Sequence, residues 1–281
     1  MRDEIAVPPI PVIVIQPTRG WASLQLRSVW EYRELLYFLV WRDVKVRYKQ
    51  TALGVAWVIL QPLIATLIFT VIFGNLAKMP SGNLPYAVLA FTALLPWNYF
   101  AGAISRAGTS LVNNANLITK VYFPRLIIPM SGVLAGLIDF AVSFVVLIVL
   151  MLAFGVTPGW QIILLPLFLI MAMATALGVS LWLAALNVQY RDINHLLPFL
   201  VQIWMYASPV VYAVSLIPAK WRILYGLNPM AGVIAGFRWS LTGQEAPPLA
   251  MLLLSLVVAV FLLVSGVVFF RRTERTFADI V

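Results

Sequence analysis

The sequence predicts an all-α integral membrane protein. It is expected to have six transmembrane helices, an N-terminal amphipathic interfacial helix, a short cytoplasmic helix between the second and third spans, and a re-entrant segment before the last span. Three observations predict it. Hydrophobic residues make up 62% of the 281 residues and the mean hydropathy is +0.96, beyond the roughly 45–50% apolar content of a soluble domain. Six apolar runs are long enough to cross about 30 Å of hydrocarbon at about 1.5 Å per residue. On that topology, fifteen of the nineteen Lys and Arg fall on one side. The positive-inside rule makes that side the cytoplasm and puts both termini there.

The elements follow in order. Residues 1–29 are expected as an extended cytoplasmic lead-in, because Val12 to Ile15 is too short for a signal-peptide core and is bracketed by prolines and Gln16. Residues 30–50 suit a helix lying in the interface. Tyr37, Trp41, Val44 and Tyr48 recur along one stripe, and Arg42, Lys45 and Lys49 along another. That helix either anchors the first span or also docks a cytoplasmic partner. The transmembrane domain, 51–281, carries spans at about 53–77, 84–105, 126–154, 162–186, 196–214 and 248–270. Between the last two, Ile223 to Phe237 is interrupted by Asn228-Pro229 and Gly232 and is too short to cross alone. The region of about 215–243 is therefore expected to be re-entrant, lying against the other spans or lining a path.

Between the second and third spans, Asn113, Asn114 and Asn116 offer capping groups, and Leu117 with Val121 and Ile118 with Tyr122 make i, i+4 apolar pairs. Pro124 stops the helix. The product is a short helix across the cytoplasmic mouth, either a plain connection or a docking knob built on its apolar groups and Lys120.

Asp139 is the only ionisable residue within the six apolar runs. A chain that moves ions or protons normally carries several such groups, so energy for uphill transport is expected from a partner. A lone carboxylate in hydrocarbon costs about 2.5–3.5 kcal/mol, so Asp139 is expected to be protonated or paired, with Arg106 or a polar group of another span. Substrate contact is the alternative. Gly132/Gly136 and Gly232/Gly236 have the spacing of close helix approach, between subunits or within one. Trp204, Ser208 and Tyr212 share one face of the fifth span, and Trp97, Tyr99 and Phe100 follow Pro96 in the second. These aromatics suit a wet passage with stacking surfaces, or else interface belts and packing.

Several chemistries lack their residues. No phosphate loop is present and none of the five lysines follows a glycine. H-E-x-x-H, G-x-S-x-G and paired Asp-x-Asp are missing too. The sole histidine, His195, reads as a boundary residue beside Arg191 and Asp192, and there are no cysteines for disulfides or thiolate metal sites. The net charge of +9 follows from topology and suits anionic headgroups, with no nucleic-acid partner implied.

Leu94 to Phe100 and Asn114 to Arg125, with Asn187 to Ile193, Ala207 to Tyr212, Leu227 to Met230 and Arg238, resemble the permease subunits of type-2 ABC exporters for polysaccharides, from about Trp21 to the C-terminus. The resemblance implies a homodimer in the bacterial inner membrane bound to two copies of an ATP-binding cassette subunit. That partner would hold ATP and Mg²⁺, and this chain no cofactor. The cargo implied is a lipid-linked polysaccharide, O-antigen first, with capsule or teichoic acid also in range. Asn113 to Arg125 would be the coupling helix, with Asn116, Leu117, Lys120 and Tyr122 joined by Arg42 and Lys45 in ATPase coupling. Trp97, Tyr99, Phe100, Trp204, Ser208 and Tyr212 would line the substrate path. Two alternatives remain: an integral-membrane enzyme acting on a lipid-linked sugar, and an ABC exporter of a different amphiphile.

Overall fold

A computed structural model describes residues 26–49, 54–82, 84–244, 246–274 and 277, and every regular element among them is helical. The lead-in up to residue 25 and the first residue of the first expected span lie outside the described residues. Helix α1 covers Leu26–Glu31 and α2 covers Arg33–Lys49. Helix α3, Gly54–Phe69, continues as a π-helical stretch, Thr70–Leu76. There Thr70 Oγ1 donates to the Thr66 carbonyl at 2.7 Å, and Ala77 N reaches back five residues to the Ile72 carbonyl at 2.8 Å. A side chain competing for the ladder is a recognised cause of such widening.

Helix α4, Tyr86–Asn113, starts behind Pro85 and is the axis of the bundle. Within its most apolar window 78% of residues are buried, against 11% for the first span. Helix α5 is Ala115–Lys120, α6 is Ile127–Ala153, and α7 is Leu165–Gln189, entered through a 3₁₀ turn at Trp160–Leu164. Helix α8 is Ile193–Tyr206, α9 is Ala219–Tyr225, α10 is Pro229–Thr242 and α11 is Leu249–Thr273. Five of these segments are long and apolar enough to cross a membrane: Ala56–Leu76, Tyr86–Asn113, Ile127–Ala153, Trp160–Gln189 and Leu249–Thr273.

Two expected spans differ. The second runs on to Asn113 and so takes Arg106 inside a helix expected to end at Ser105. The fifth, expected over 196–214, is a 14-residue helix, about 21 Å at roughly 1.5 Å per residue, with turns beyond it. At its start Asn194 accepts from Asn187 (3.0 Å), which also donates to the Gly108 carbonyl (3.2 Å) near the last turns of α4. Past its end, the Val211 carbonyl accepts from Tyr86 Oη at the first residue of α4 (2.6 Å). Residues 193–211 therefore run most of the length of α4.

Helices α9 and α10 fold back through Gly226, Leu227 and Asn228. Eleven of the fourteen α10 residues are buried, and Gly243, at φ +69, closes the helix in the left-handed region. Both expected glycine pairs pack within this one chain. A Cβ at Gly232 would sit 2.5 Å from the Cβ of Ser255 on α11, and one at Gly132 would sit 3.1 Å from the Ala107 backbone. Gly236 faces the Phe168 ring, whereas Gly136 leaves room for the Arg106 guanidinium. A third approach was not expected. A Cβ at Gly178 of α7 would lie 2.5 Å from the Leu262 carbonyl carbon of α11, and one at Gly266 would run into the Gly178 carbonyl.

The expected stripe of α2 divides. Val44 is buried and Tyr48 half-buried, while Tyr37 and Trp41 are exposed. Leu39, outside the stripe, joins Leu111, Ile118, Phe123 and Ile127 in one cluster, with Leu35 and Leu36 packed against it. These leucines are covered because they meet the apolar base of α6.

Candidate functional site

At the α5 end of the bundle, Ile118 inserts into the cluster that also holds Leu39, Leu126, Phe270 and Phe277. Leu117 packs partly against it. Asn116, Lys120, Val121 and Tyr122 stay exposed, Tyr122 at 75%. Asparagine capping of α5 does not occur in the expected way. Asn114 occupies the N-cap position without a side-chain cap bond. Instead Asn114 Nδ2 donates to the Ser110 carbonyl (2.8 Å) and Asn113 Nδ2 to Thr109 Oγ1 (3.3 Å), closing the end of α4. Beyond α5, Arg125 N donates to Glu274 Oε1 (3.2 Å), and Glu274 pairs with Arg271 (2.9 Å). The outer face of α5 is thus carried on a base pinned from both sides. On α2, Arg42 pairs with Asp43 (2.8 Å) and Lys45 lies 5.3 Å from the centre of the Trp41 ring.

Further into the bundle, Asp139 of α6 collects partners from two other helices. Arg47 bonds one carboxylate oxygen, Tyr48 the other, and Arg106 of α4 stands 3.6 Å away. Arg106 was the expected partner. Arg47 and Tyr48 were not, although a lone membrane carboxylate calls for donors from whichever basic helix borders its span. Burial first, and then the bond to Asp139, push the Tyr48 hydroxyl up to about 12. It therefore stays a protonated donor at any physiological pH.

The expected path residues sit in and around an aromatic core. Trp97, Tyr99 and Phe100 are buried to 3% exposure or less. Phe100 meets Trp204 edge-on at 5.0 Å and Tyr99 meets Phe140 at 5.9 Å. Ser208 is buried and donates to the Trp204 carbonyl (2.8 Å), while Trp204 and Tyr212 are only part-covered. Tyr212 Oη lies 2.6 Å from Tyr225 Oη.

A second polar knot, unforeseen in the sequence, is centred on Asn228. Its Oδ1 accepts from Trp204 Nε1 (2.8 Å) and Met230 N (3.1 Å), and its Nδ2 donates to the Ala207 carbonyl (3.0 Å) and Ser208 Oγ (2.9 Å). Arg238 then ties α10 to its surroundings through the carbonyls of Leu89 (3.3 Å), Tyr212 (2.6 Å) and Val210 (2.8 Å). A cavity of about 260 Å³ opens beside Arg238, with Arg222, Ser81 and Gln244 on its walls.

Five helices long and apolar enough to cross a membrane define a multi-pass membrane protein, and comparison with known proteins gives its class. Residues 34–242 match the ABC-2 type transporter family, and the chain belongs to that family. It is 30% identical over 256 residues to the O-antigen export system permease protein RfbA of Myxococcus xanthus, covering 90% of this chain and 98% of that protein. A permease of the same name from Klebsiella pneumoniae is 30% identical over 252 residues, covering 88% and 95%. The polysialic acid transport protein KpsM of Escherichia coli is 23% identical over 197 residues, covering 69% and 75%.

Proposed function

We propose that this chain is the transmembrane subunit of an ATP-driven exporter that carries a lipid-linked polysaccharide, O-antigen in the first place, out of the cytoplasm. The observation that carries the reading is the near end-to-end likeness to permeases named for O-antigen export. In this reading two copies pair, each bound to an ATP-binding cassette subunit that holds ATP and Mg²⁺. Six crossings are proposed, the fifth being α8 together with residues 207–213, which is supported by the run of 193–211 along α4. The turn of α9 into α10 forms the re-entrant element, supported by the contact of Ser255 Oγ with the Gly226 carbonyl inside the bundle (2.9 Å). Both termini and α5 face the cytoplasm, on the strength of the basic asymmetry.

Docking of the ATPase falls to Asn116 and Lys120 on the exposed side of α5 and to Tyr122 just past its end, with Arg42 and Lys45 of α2 contributing charge and Leu117 seating the helix from below. For the path, Trp204 and Tyr212 meet the glycan. Trp97, Tyr99, Phe100 and Ser208, covered by protein, hold the wall behind them stiff. Stacking faces bind a hydrated polymer weakly and repeatedly, as transit demands.

The test is deletion of the chain in its native host, followed by chemical identification of the polymer retained inside the cells, with export restored by the intact chain and its cassette partner. Accumulated O-antigen supports the reading. Another retained amphiphile moves the cargo, and an altered sugar structure with normal export favours a membrane enzyme. Within a complemented strain, Tyr122→Asp is expected to lower both ATPase co-purification and export, because a hydrated charge replaces an apolar contact. Full co-purification of the Asp variant would move the docking surface away from α5.

A further inference from the structure

Asp139 lies about 18 Å along α6 from Ile127, at roughly 1.5 Å per residue, and three helices meet on it. Arg47 and Tyr48 of α2 take one carboxylate oxygen each, and Arg106 of α4 stands 3.6 Å from the oxygen that Arg47 holds. Arg106 is itself seated. Its Nε donates to the Gly132 carbonyl of α6 (3.2 Å), and a Cβ at Gly102 would come within 2.8 Å of its guanidinium. Gly136 clears the other side of the same slot. The remaining polar groups nearby are engaged elsewhere: Tyr99 Oη donates to the Val133 carbonyl (3.3 Å), and Asp43 pairs with Arg42.

Below this knot α2 meets its neighbours through the buried Leu39 and Val44 and one long contact of Ser131 Oγ with Asp43 (3.5 Å). The charged contacts are directional. Ion pairs taken partly out of water add little to stability compared with apolar packing, and their best-attested use is to fix register. Here the register is that of α2 against α6 and against α4, the axis of the bundle.

We infer that Asp139 is a positioning residue for transport: by holding Arg47 and Tyr48, it makes a displacement of α2 at the α5 end pass into α4 and α6 rather than dissipate as slippage. This rests on the permease reading above, in which α2 and α5 face the ATP-binding partner.

The chain has no cysteine, so spin labels at Val46→Cys on α2 and Ser105→Cys on α4, both exposed, report that register in the complex assembled with its ATPase. The expected result is one narrow label distance that shifts with ATP. In Asp139→Asn the distance broadens and ceases to respond, hydrolysis continues, and polymer exported per ATP falls at least about fivefold. Arg47→Gln and Tyr48→Phe move the same readouts in the same direction and decide the matter if Asp139→Asn fails to assemble. Arg47→Lys restores part of the response. Unchanged distances and unchanged export per ATP in these variants overturn the inference. So does a loss of hydrolysis in step with export, which would make the cluster purely structural. If the unmodified complex exports no polysaccharide, the functional reading falls while the label distances still judge the register.

Discussion

The knot at Asp139 is built around full charges, with one neutral donor in Tyr48, whereas the knot at Asn228 is made of neutral groups, and the two tolerate change differently. At Asp139 a carboxylate and two guanidiniums attract over several ångströms, so distance sets their strength. At Asn228 both lone pairs and both amide hydrogens are used, each on a different partner, so no other side chain reproduces the set. The charged knot demands a charge; the neutral knot demands one residue.

The largest expected effect follows from that saturation. Asn228→Ala removes four hydrogen bonds and leaves the Trp204 indole N–H without its partner, costing on the order of 2–4 kcal/mol. Thermal unfolding in detergent measures it, and Asn228→Asp, which keeps the oxygen that accepts from Trp204 and Met230 but loses the donor to Ala207 and Ser208, should fall between Ala and the native residue. A melting point for Asn228→Ala equal to the native one would show the four bonds to be replaceable by water.

Next comes Arg238→Lys. A flexible ammonium does not span the three carbonyls that the planar guanidinium fork reaches together, and a loss of about 1–2 kcal/mol is expected. Proteolysis between α9 and α11 should quicken. Equal proteolysis rates would remove Arg238 from the account of how the hairpin is held.

Asp139→Asn should cost only about 1 kcal/mol in unfolding, because the amide oxygen still accepts from Arg47 or Tyr48 and the charge pairs add little net of their desolvation. Asp139→Glu, which keeps the charge, should recover most of that difference. A Glu variant no more stable than the Asn variant would erase the contrast between the two knots.

The smallest effect is a pH dependence. Tyr48's hydroxyl is raised from 10 to about 12 by burial and by Asp139, so its contribution is complete below pH about 10 and lost as pH climbs through about 12. The melting-point difference between native protein and Tyr48→Phe should therefore narrow over that window. A constant difference would mean that Tyr48 acts through packing alone.

The long apolar runs were legible in the sequence because length and composition alone decide whether a helix can cross. Facing was not. In a helix apolar all round, lipid and protein neighbours look alike to the pattern, so nothing marked α4 as the axis or α3 as nearly uncovered. Arg106 was found as a partner of Asp139 because it lies just past an apolar run. Arg47 and Tyr48 are 92 and 91 residues away in sequence, and the stripe pattern put Tyr48 with the exposed aromatics. Asn228 was seen only as a helix breaker, since its role depends on Trp204 and Ser208 arriving from α8. The asparagines before α5 misled for a local reason: the same side chains serve the end of one helix as readily as the start of the next.

Where α7 and α11 cross at Gly178 and Gly266, main chain rests on main chain with no side chain between, and Trp182 stacks on Phe269 at 4.0 Å one turn on. Interlocked backbones have no rotamers with which to accommodate sliding, so the two helices are expected to travel as a single stave. On α3 and α8, by contrast, most of the apolar surface is uncovered, so relative motion is expected between those helices and the stave and not within it.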